Sequence, residues 1–195
     1  MKVVAATNNA NKVREFGEIL ADLGIEVISM QSIGINIEIP ETGTTFAENA
    51  LIKAKAVAGL CNYPVLADDS GLCVDAMDGA PGLYSARFGG ENLDDAGKRK
   101  LLLEKMKGEE NRNAYFISSL AFLMPNGELI TAEDRVYGTI TEEEIGTAGF
   151  GYDPIFFCDE IGKCFGVATP MEKDSVSHRG RALKNLYKKI KDRGI

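Results

Sequence analysis

Two adjacent carboxylates follow a short apolar run in the stretch VLADDSG, residues 65–71. The run Val65–Ala67 is typical of a buried strand, and Asp68 and Asp69 come directly after it. In α/β proteins the ends of central strands border the ligand crevice, where a carboxylate can hold a metal ion or act as a general base. A solvated turn is the alternative interpretation of this stretch, because Asp, Ser and Gly are standard turn residues. Neighbouring strand residues point to opposite faces, so we expect one acid to face the ligand and the other to have a supporting role.

The acidic side chains favour a hard metal ion over zinc. Glu41 supplies a further loop carboxylate, and carboxylate oxygens are ligands that Mg²⁺ or Mn²⁺ prefers. Zinc is disfavoured, since His178 is the only histidine and the four cysteines contain no C-x-x-C pair.

A polar turn precedes the first helical pattern in the stretch ATNNANK, residues 6–12. It follows a short apolar run and places Lys12 in the first helical turn. Backbone N–H groups at such a turn, together with one cation, can bind a phosphate. The glycines of a Walker loop are absent, and the alternative is a solvated turn in which Asn caps the helix.

Glycines and aromatic residues alternate in GTAGFGYDPIFF, residues 146–157. Glycine lets the backbone approach a ligand closely, and the rings of Phe150 and Tyr152 can stack on a flat partner such as a nucleobase. The alternative is a loop that closes over the core with both rings buried.

Hydrogen-bond donors gather around the start of the last helical pattern, in EKDSVSHRGRA, residues 172–182. Lys173, His178 and Arg179 can donate to phosphate or carbonyl oxygens. Lys53, on the second helical pattern, can add another cation. The alternative is a surface helix with an incidental histidine and solvated lysines.

Alternating strand and helix patterns position these segments and predict an α/β fold. The predicted elements of the first half are strands Val3–Ala6 and Glu26–Met30 and helices Asn11–Leu23 and Thr45–Leu60. Those of the second half are a strand Leu72–Ala76, a helix Asn92–Lys107, a hairpin of Ala114–Met124 and Glu128–Tyr137 around Asn126-Gly127, and a helix Asp174–Arg193.

Length, composition and charge restrict the class of protein. The 195 residues suit a single domain over 1–195, and a hydrophobic content of 45% can build a core. A net charge of −7 predicts no nucleic-acid partner, because such binding relies on Lys and Arg. No stretch approaches the roughly 20 apolar residues of a membrane span, and the N-terminus lacks the roughly 7–15 apolar residues of a secretory signal. We expect a cytoplasmic protein with reduced cysteines and no membrane partner.

Six blocks of the chain resemble the inosine triphosphate pyrophosphatase family, also called Ham1-like. They are, in the family's order, T-N-N-A-N-K at 7–12, E-T-G-T-T-F-A-E-N-A at 41–50, A-D-D-S-G-L at 67–72, G-A-P-G-L-Y-S-A-R-F at 79–88, F-G-Y-D-P-I-F at 150–156 and S-H-R-G at 177–180. The blocks spread over almost the full length, so chance explains them poorly.

The resemblance implies a fold and an activity. The implied fold is α/β, an elongated mixed central sheet with flanking helices and two lobes around a cleft. The implied activity is hydrolysis of the purine nucleoside triphosphates ITP, dITP and XTP to the monophosphate and pyrophosphate, which keeps deaminated purines out of DNA and RNA. Mg²⁺ as cofactor and a homodimer are also implied.

Carried over by position, the resemblance assigns roles to the matching residues. Asp69 is the implied general base and a Mg²⁺ ligand, with Glu41 as the second ligand. The implied substrate contacts are Thr7, Asn8, Asn9, Ala10, Asn11, Lys12, Ser70, Phe150, Gly151, Tyr152, Asp153, Lys173, His178 and Arg179. Within this set, 7–12 holds the triphosphate and 150–153 forms the base pocket. We expect Lys53 to join Lys12 at the phosphates, and His178 and Arg179 to donate to the 6-oxo group of the base.

Two positions depart from the family's usual pattern. Residue 8 is Asn where the family has Gly, and Asn tolerates a positive φ better than most residues. Residue 148 is Ala where the family has Gly, and a positive φ at that position would cost of order 1 kcal/mol.

Overall fold

The computed structural model describes residues 1–21, 23–90 and 92–194. In these ranges seven strands form one sheet, in the order β2-β1-β3-β4-β5-β6-β7, and five helices accompany it. The strands are β1 Lys2–Ala5, β2 Glu26–Ser29, β3 Val65–Val74, β4 Asn113–Leu123, β5 Leu129–Ile140, β6 Phe156–Cys158 and β7 Lys163–Cys164. The helices are α1 Ala10–Ala21, α2 Phe46–Ala58, α3 Asp95–Lys105, α4 Pro170–Val176 and α5 His178–Asp192. β1 pairs in parallel with β2 and β3, and β6 pairs antiparallel with β5 and β7, so the sheet is mixed, as predicted.

The acid pair lies inside a strand rather than at its end. We predicted a strand that stops at Ala67 and a separate one over Leu72–Ala76, but β3 runs without a break from Val65 to Val74. Nine of its ten residues are buried, as expected of a central strand. Two adjacent charges are tolerated there because each carboxylate meets cations, and buried charges need such partners.

The predicted final helix, Asp174–Arg193, is two helices. α4 begins earlier because Thr169 caps it: the Thr169 hydroxyl accepts from the Glu172 N–H at 3.2 Å, and the Glu172 carboxylate accepts from the Thr169 N–H at 2.9 Å. Ser177 is extended, with φ −62° and ψ 152°, which interrupts the helix. α5 then begins at His178.

The other predicted elements are present, with shorter helices. β4 and β5 are neighbours in the sheet, and the Gly127 N–H closes their turn by donating to Met124 O at 2.9 Å. Gly127 has a φ of +88°, which glycine adopts without strain, and the hairpin prediction is confirmed. α1 ends at Ala21 instead of the predicted Leu23. Asp22, inside the predicted range, lies outside the described residues.

The chain divides into two compact units. Unit 1 comprises Met1–Asp69, Ser118–Asp134 and Arg179–Ile195, and unit 2 comprises Ser70–Ile117 and Arg135–His178. In unit 1 the apolar stripe of α5 packs on α1 in a buried cluster that includes Phe16, Leu20, Leu183, Leu186 and Ile190. The small residues of α2 pack on β1 and β3 in a second cluster that includes Val4, Ala50, Ala54, Val57 and Val65.

Aromatic rings dominate the core of unit 2. The ring centroids of Phe116 and Phe156 are 4.7 Å apart, and those of Phe156 and Phe165 are 5.2 Å apart. All four cysteines of the chain are free thiols, and Cys73, Cys158 and Cys164 are buried. In the described ranges no helix has both the length and the apolar character that crossing a membrane requires.

Candidate active site

Asp68 is the centre of a buried ion-pair network in unit 1. It is fully buried, and its Oδ2 lies 2.8 Å from Lys12 Nζ and 3.2 Å from a guanidinium nitrogen of Arg179. Its Oδ1 accepts from the Ser118 hydroxyl at 2.6 Å. Burial alone would raise the pKa of Asp68, but the two cations and the hydrogen bonds hold that pKa well below its usual range. Asp68 therefore stays ionised and binds the Lys12 and Arg179 side chains, and it does not act as a proton acceptor at neutral pH.

Arg179 donates to carboxylates of unit 1. The residue is 2% exposed, and its guanidinium contacts both Asp68 and Glu15. Burial lowers the pKa of Arg179, but the two carboxylates outweigh burial and leave it above its usual value. The pKa of Lys12 is lowered, chiefly by burial. The substrate contact of Arg179 stays a prediction, and the structure shows its guanidinium fixing Asp68.

Asp69 meets a different set of partners from Asp68. Its Oδ1 lies 2.7 Å from Lys53 Nζ, and its Oδ2 accepts from the Asn49 side-chain amide at 3.1 Å. Lys53 Nζ also lies 2.5 Å from Glu41 Oε1. Burial, and then the Glu41 charge, raise the pKa of Asp69 in spite of the lysine. Burial lowers the pKa of Lys53, but its two carboxylate partners outweigh burial and raise it.

Glu41 and Asp69 have the chemistry of a hard-metal pair. Their oxygens converge on one cation, the Lys53 ammonium, at 2.5 and 2.7 Å. Two carboxylates against one ammonium leave excess negative charge, which favours a further cation or a proton. Within residues 1–21, 23–90 and 92–194, no group of three or more His, Cys, Asp or Glu side chains is arranged to hold a metal ion. Mg²⁺ needs no such group, because it is usually bound through one or two carboxylates, waters and substrate phosphates. The donor set therefore fits Mg²⁺.

The predicted phosphate turn is also a capping turn. Asn9 Oδ1 accepts from the N–H groups of Asn11 at 2.9 Å and Lys12 at 3.3 Å, and the Asn9 N–H donates to Thr7 Oγ1 at 3.1 Å. The Asn cap that we weighed as the alternative is thus present, and three of the N–H groups at this turn already have an acceptor. Solvent still reaches the turn, since residues 8–10 are exposed, Thr7 and Asn11 are half-buried, and the Lys12 side chain is 15% exposed.

Neither departure from the family pattern strains the backbone. Among the described non-glycine residues only Asp78 has a positive φ, so Asn8 and Ala148 do not. The Asn8 side-chain amide donates to Ile37 O at 3.1 Å, and the Ala148 N–H donates to Gly166 O at 2.8 Å. The penalty of about 1 kcal/mol that a positive φ would impose on Ala148 therefore does not arise.

In unit 2, Asp153 and Lys173 fix the glycine-rich loop. Lys173 Nζ lies 2.7 Å from Asp153 Oδ2, which also accepts from the Phe150 N–H at 2.8 Å. The ammonium lies over two aromatic rings, 4.8 Å from the centroid of Phe150 and 5.9 Å from that of Phe165. The structure thus brings Lys173 to Phe150 and Asp153 of the loop, although Lys173 follows Asp153 by 20 positions in the sequence.

Tyr152 does not display its ring, which corrects our prediction. The side chain is buried in the core of unit 2, and its hydroxyl donates to Ser85 O at 2.9 Å. Burial also raises the pKa of Tyr152. A buried phenol needs a hydrogen-bond partner, and a backbone carbonyl supplies it here. Phe150 is half-buried and remains the ring that a ligand can reach.

His178 is buried in unit 2, where its ring stacks on Phe116 with centroids 4.9 Å apart and 13° between the planes. Ser70 is the one half-buried residue of β3, next to Asp69 in the sequence. The substrate contacts predicted for His178 and Ser70 stay predictions.

The sequence model of the Ham1 family matches residues 3–189 of the chain. The chain belongs to the Ham1 family. It is 46% identical to the dITP/XTP pyrophosphatase of Leptospira interrogans, over 97% of both chains, and 47% identical to that of Bacillus subtilis, over 96% of both. The solved structure of the Ham1 protein of Staphylococcus aureus matches with a TM-score of 0.87 at 36% identity, covering 99% of this chain and 100% of that one. The family and the mixed α/β fold predicted from the sequence are confirmed.

Three residues of this Ham1-family site escaped the sequence analysis. Asn49 lies within the matching block 41–50, so its amide beside Asp69 had a signal that we did not use. Glu15 is one of several charged residues of α1, and Ser118 is a small polar residue in a buried strand. No local sequence pattern marks Glu15 or Ser118. Both belong to the ion-pair and hydrogen-bond network around Asp68, whose members come from distant parts of the chain.

Gly149→Ala should destabilise the loop of this Ham1-family chain. Gly149 has a φ of +75°, and a Cβ there would overlap the Asp153 carboxylate. The left-handed backbone costs about 1–2 kcal/mol for a non-glycine residue, and the displaced carboxylate also loses Lys173. At about 2–4 °C for each kcal/mol, the backbone cost alone should lower the melting temperature in thermal denaturation by roughly 2–8 °C, and the displaced carboxylate should add to that fall.

Gly151→Ala is the matched control, since Gly151 has a φ of +59° but a Cβ there would meet nothing within 4 Å. It isolates the backbone strain from the collision. Equal losses of stability in the two variants would contradict the assignment of the extra loss to Asp153.

Proposed function

We propose that the chain hydrolyses ITP, dITP and XTP to the nucleoside monophosphate and pyrophosphate, and so keeps deaminated purines out of DNA and RNA. Relatives that match it over nearly their full length are named dITP/XTP pyrophosphatases. The structural observation that carries the proposal is the approach of Glu41 and Asp69 to one cation, Lys53 Nζ, at 2.5 and 2.7 Å. A buried carboxylate, that of Asp69, and a half-buried one, that of Glu41, next to lysines suit a site that binds a polyanion together with a divalent metal.

Asp69 is the proposed general base. Its raised pKa makes it a better proton acceptor than an ordinary carboxylate. It orients a water toward the α-phosphorus and takes a proton from that water as the water oxygen bonds to phosphorus. The bond from the α-phosphorus to the bridging oxygen breaks, and its electron pair leaves with pyrophosphate.

The other charged groups of unit 1 bind the phosphates. Mg²⁺ held by Glu41 and Asp69 would supply a Lewis acid that neutralises charge on the leaving pyrophosphate. Lys12 and Lys53 stabilise phosphoryl oxygens, and the turn 7–12 holds the triphosphate. Asp68 keeps the Lys12 ammonium in place through its contact of 2.8 Å.

The segment 150–153, with Lys173 and His178, is the proposed base-recognition site in unit 2. A 6-oxo group accepts hydrogen bonds, and His178 and backbone N–H groups can donate them. The 6-amino group of adenine is itself a donor and would leave those groups unpaired. A site built in this way can reject the wrong partner by as much as about 10⁴–10⁵. Ser70 and Arg179 complete the proposed substrate contacts.

We also propose that the chain acts in the cytoplasm as a homodimer, with no nucleic-acid partner. Its free thiols suit a reducing compartment, and its net charge of −7 disfavours a polyanionic polymer. The homodimer follows from the family resemblance, and light scattering measures it directly.

A panel of triphosphates tests the function. We expect ITP and XTP to yield only monophosphate and pyrophosphate, and ATP to react at least about 100-fold more slowly because its 6-amino group mismatches the donors. Activity should disappear with a chelator and return with Mg²⁺. The measurement is kcat/KM for ITP, XTP, GTP and ATP at one Mg²⁺ concentration, with phosphate and pyrophosphate both quantified.

Three outcomes would contradict the proposal. Release of orthophosphate would indicate a general phosphohydrolase. Tight binding of ITP without turnover would indicate a nucleotide-binding module, and ATP cleaved as fast as ITP would refute the donor argument.

A further inference from the structure

Side chains of α3 hold both polar backbone groups of Gly151. The Gly151 N–H donates to Asp95 Oδ2 at 3.0 Å, and the Gly151 carbonyl accepts from a guanidinium nitrogen of Arg99 at 2.9 Å. Residues spaced as Asp95 and Arg99 are lie one helical turn apart on the same face. Two side chains of α3 therefore bind both the backbone N–H and the backbone carbonyl of Gly151 in the glycine-rich loop.

The Arg99 contact is not explained by packing. The Arg99 side chain is 14% exposed, and a guanidinium nitrogen lies 3.1 Å from Glu144 Oε2. Its Nε is buried and has no hydrogen-bond partner in the part of the chain that the structure describes. A buried donor without a partner costs free energy, and the bonds of Arg99 to Gly151 and Glu144 offset that cost. The fixed fork of a guanidinium suits a site that must hold a carbonyl in one place.

Gly151 needs this restraint because packing does not supply it. Its φ is +59°, and a Cβ at this position would meet nothing within 4 Å, so the space around it is open. Its neighbours Phe150 and Asp153 are fixed from the other side, through Lys173 and the Phe150 N–H. The segment is thus held at two points, one of which is α3.

We propose that Asp95 and Arg99 are positioning residues that set the base specificity of this segment. The inference rests on the proposed function of residues 150–153. Neither residue lies in the six blocks on which the sequence resemblance was based, 7–12, 41–50, 67–72, 79–88, 150–156 and 177–180. Holding the Gly151 carbonyl fixes the direction of the Tyr152 N–H, which belongs to the same planar peptide unit. It also holds the adjacent Phe150 ring in place, and this N–H and this ring are the groups proposed to meet the base. Contacts to the base are made before and during the reaction alike, so their loss raises KM and leaves kcat nearly unchanged.

Asp95→Ala is the principal test. We expect KM for ITP to rise roughly tenfold, kcat to change less than about twofold, and the preference for ITP over ATP to fall. Asp95→Asn keeps an acceptor for the Gly151 N–H and should restore most of the loss. Arg99→Met should act in the same direction as Asp95→Ala. Kinetics on each purified full-length variant gives both constants.

Lys98→Ala is the matched control. Lys98 Nζ lies 3.3 Å from Asp95 Oδ1, so this variant removes a charge partner of Asp95 on the same helix and leaves the bond to Gly151 intact. It should keep wild-type KM and selectivity. Equal effects of Lys98→Ala and Asp95→Ala on KM and selectivity would show that loss of α3 stability causes both. That result would overturn the proposal.

Hydrogen exchange separates this inference from the proposed function. In the wild type the Gly151 amide should exchange slowly, and in Asp95→Ala it should exchange at least about tenfold faster, whether or not the chain hydrolyses ITP. A wild type that releases no pyrophosphate from ITP defeats the proposed function alone. Unchanged exchange of Gly151, or a fall in kcat with constant KM, overturns the positioning role.

Discussion

Asp69→Asn is expected to lose about 10²–10⁴-fold in kcat while the protein stays folded, because a positioned general base contributes that much. The carboxylate is 5% exposed and its partners are Lys53 and the Asn49 amide. An amide oxygen at position 69 can still accept from Lys53, and Lys53 keeps the Glu41 carboxylate at 2.5 Å, so the substitution removes the base without leaving that ammonium unpaired. Steady-state kinetics with ITP, with the melting temperature measured in parallel, checks both halves of the prediction.

A Mg²⁺ titration distinguishes the two roles proposed for Asp69. If the residue acted only as a metal ligand, excess Mg²⁺ would restore the rate of Asp69→Asn by mass action. We expect no such recovery, because the proton acceptor is missing at every Mg²⁺ concentration. Asp75→Asn is the control, since Asp75 is an exposed carboxylate just after the same strand. Wild-type turnover in Asp69→Asn would end the proposed mechanism.

Asp68→Asn is expected to destabilise the fold by about 3–5 kcal/mol, because it leaves buried cations without their carboxylate. Asp68 is fully buried, with Lys12 Nζ at 2.8 Å and a guanidinium nitrogen of Arg179 at 3.2 Å. At about 2–4 °C for each kcal/mol, the melting temperature should fall by roughly 6–20 °C. The neighbouring acids thus differ in what their loss costs: stability for Asp68, turnover for Asp69.

A second substitution tests whether the charge imbalance causes this loss. Lys12→Met added to Asp68→Asn removes one of the stranded cations and should recover part of the stability. Acid supplies an independent measure. Because the pKa of Asp68 is depressed in the folded protein, its contribution is complete above the unfolded value near 3.9 and is lost as the pH falls through the folded value. Below about pH 4 the stability of Asp68→Asn should therefore decline less steeply than that of the wild type. Additive losses in the double variant would contradict this account.

The sequence alone determined the family and the α/β class, and it supplied the segments of the proposed site. These follow from residues that are close together in the sequence. Apolar runs and the apolar stripes of helices predict the elements, and blocks such as 67–72 and 150–156 are continuous stretches of sequence. It also predicted that one acid faces the ligand and the other has a supporting role, because side chains alternate along a strand. The structure gives the two acids different partners, Lys12 and Arg179 for Asp68 and Lys53 for Asp69, and the ligand-facing role stays a prediction.

The tertiary structure decided what each residue can do. Asp68 and Asp69 are the same amino acid in one strand, yet the pKa of the first is depressed and that of the second raised. The difference comes from partners distant in sequence: Arg179 is 111 positions from Asp68 and 164 from Glu15. The burial of Tyr152 and the hydrogen bonds of α3 to Gly151 likewise come from contacts between residues that are distant in the sequence. The pKa and the burial of a side chain depend on which groups the fold brings within a few ångströms of it. A local sequence pattern does not show which distant residues those are.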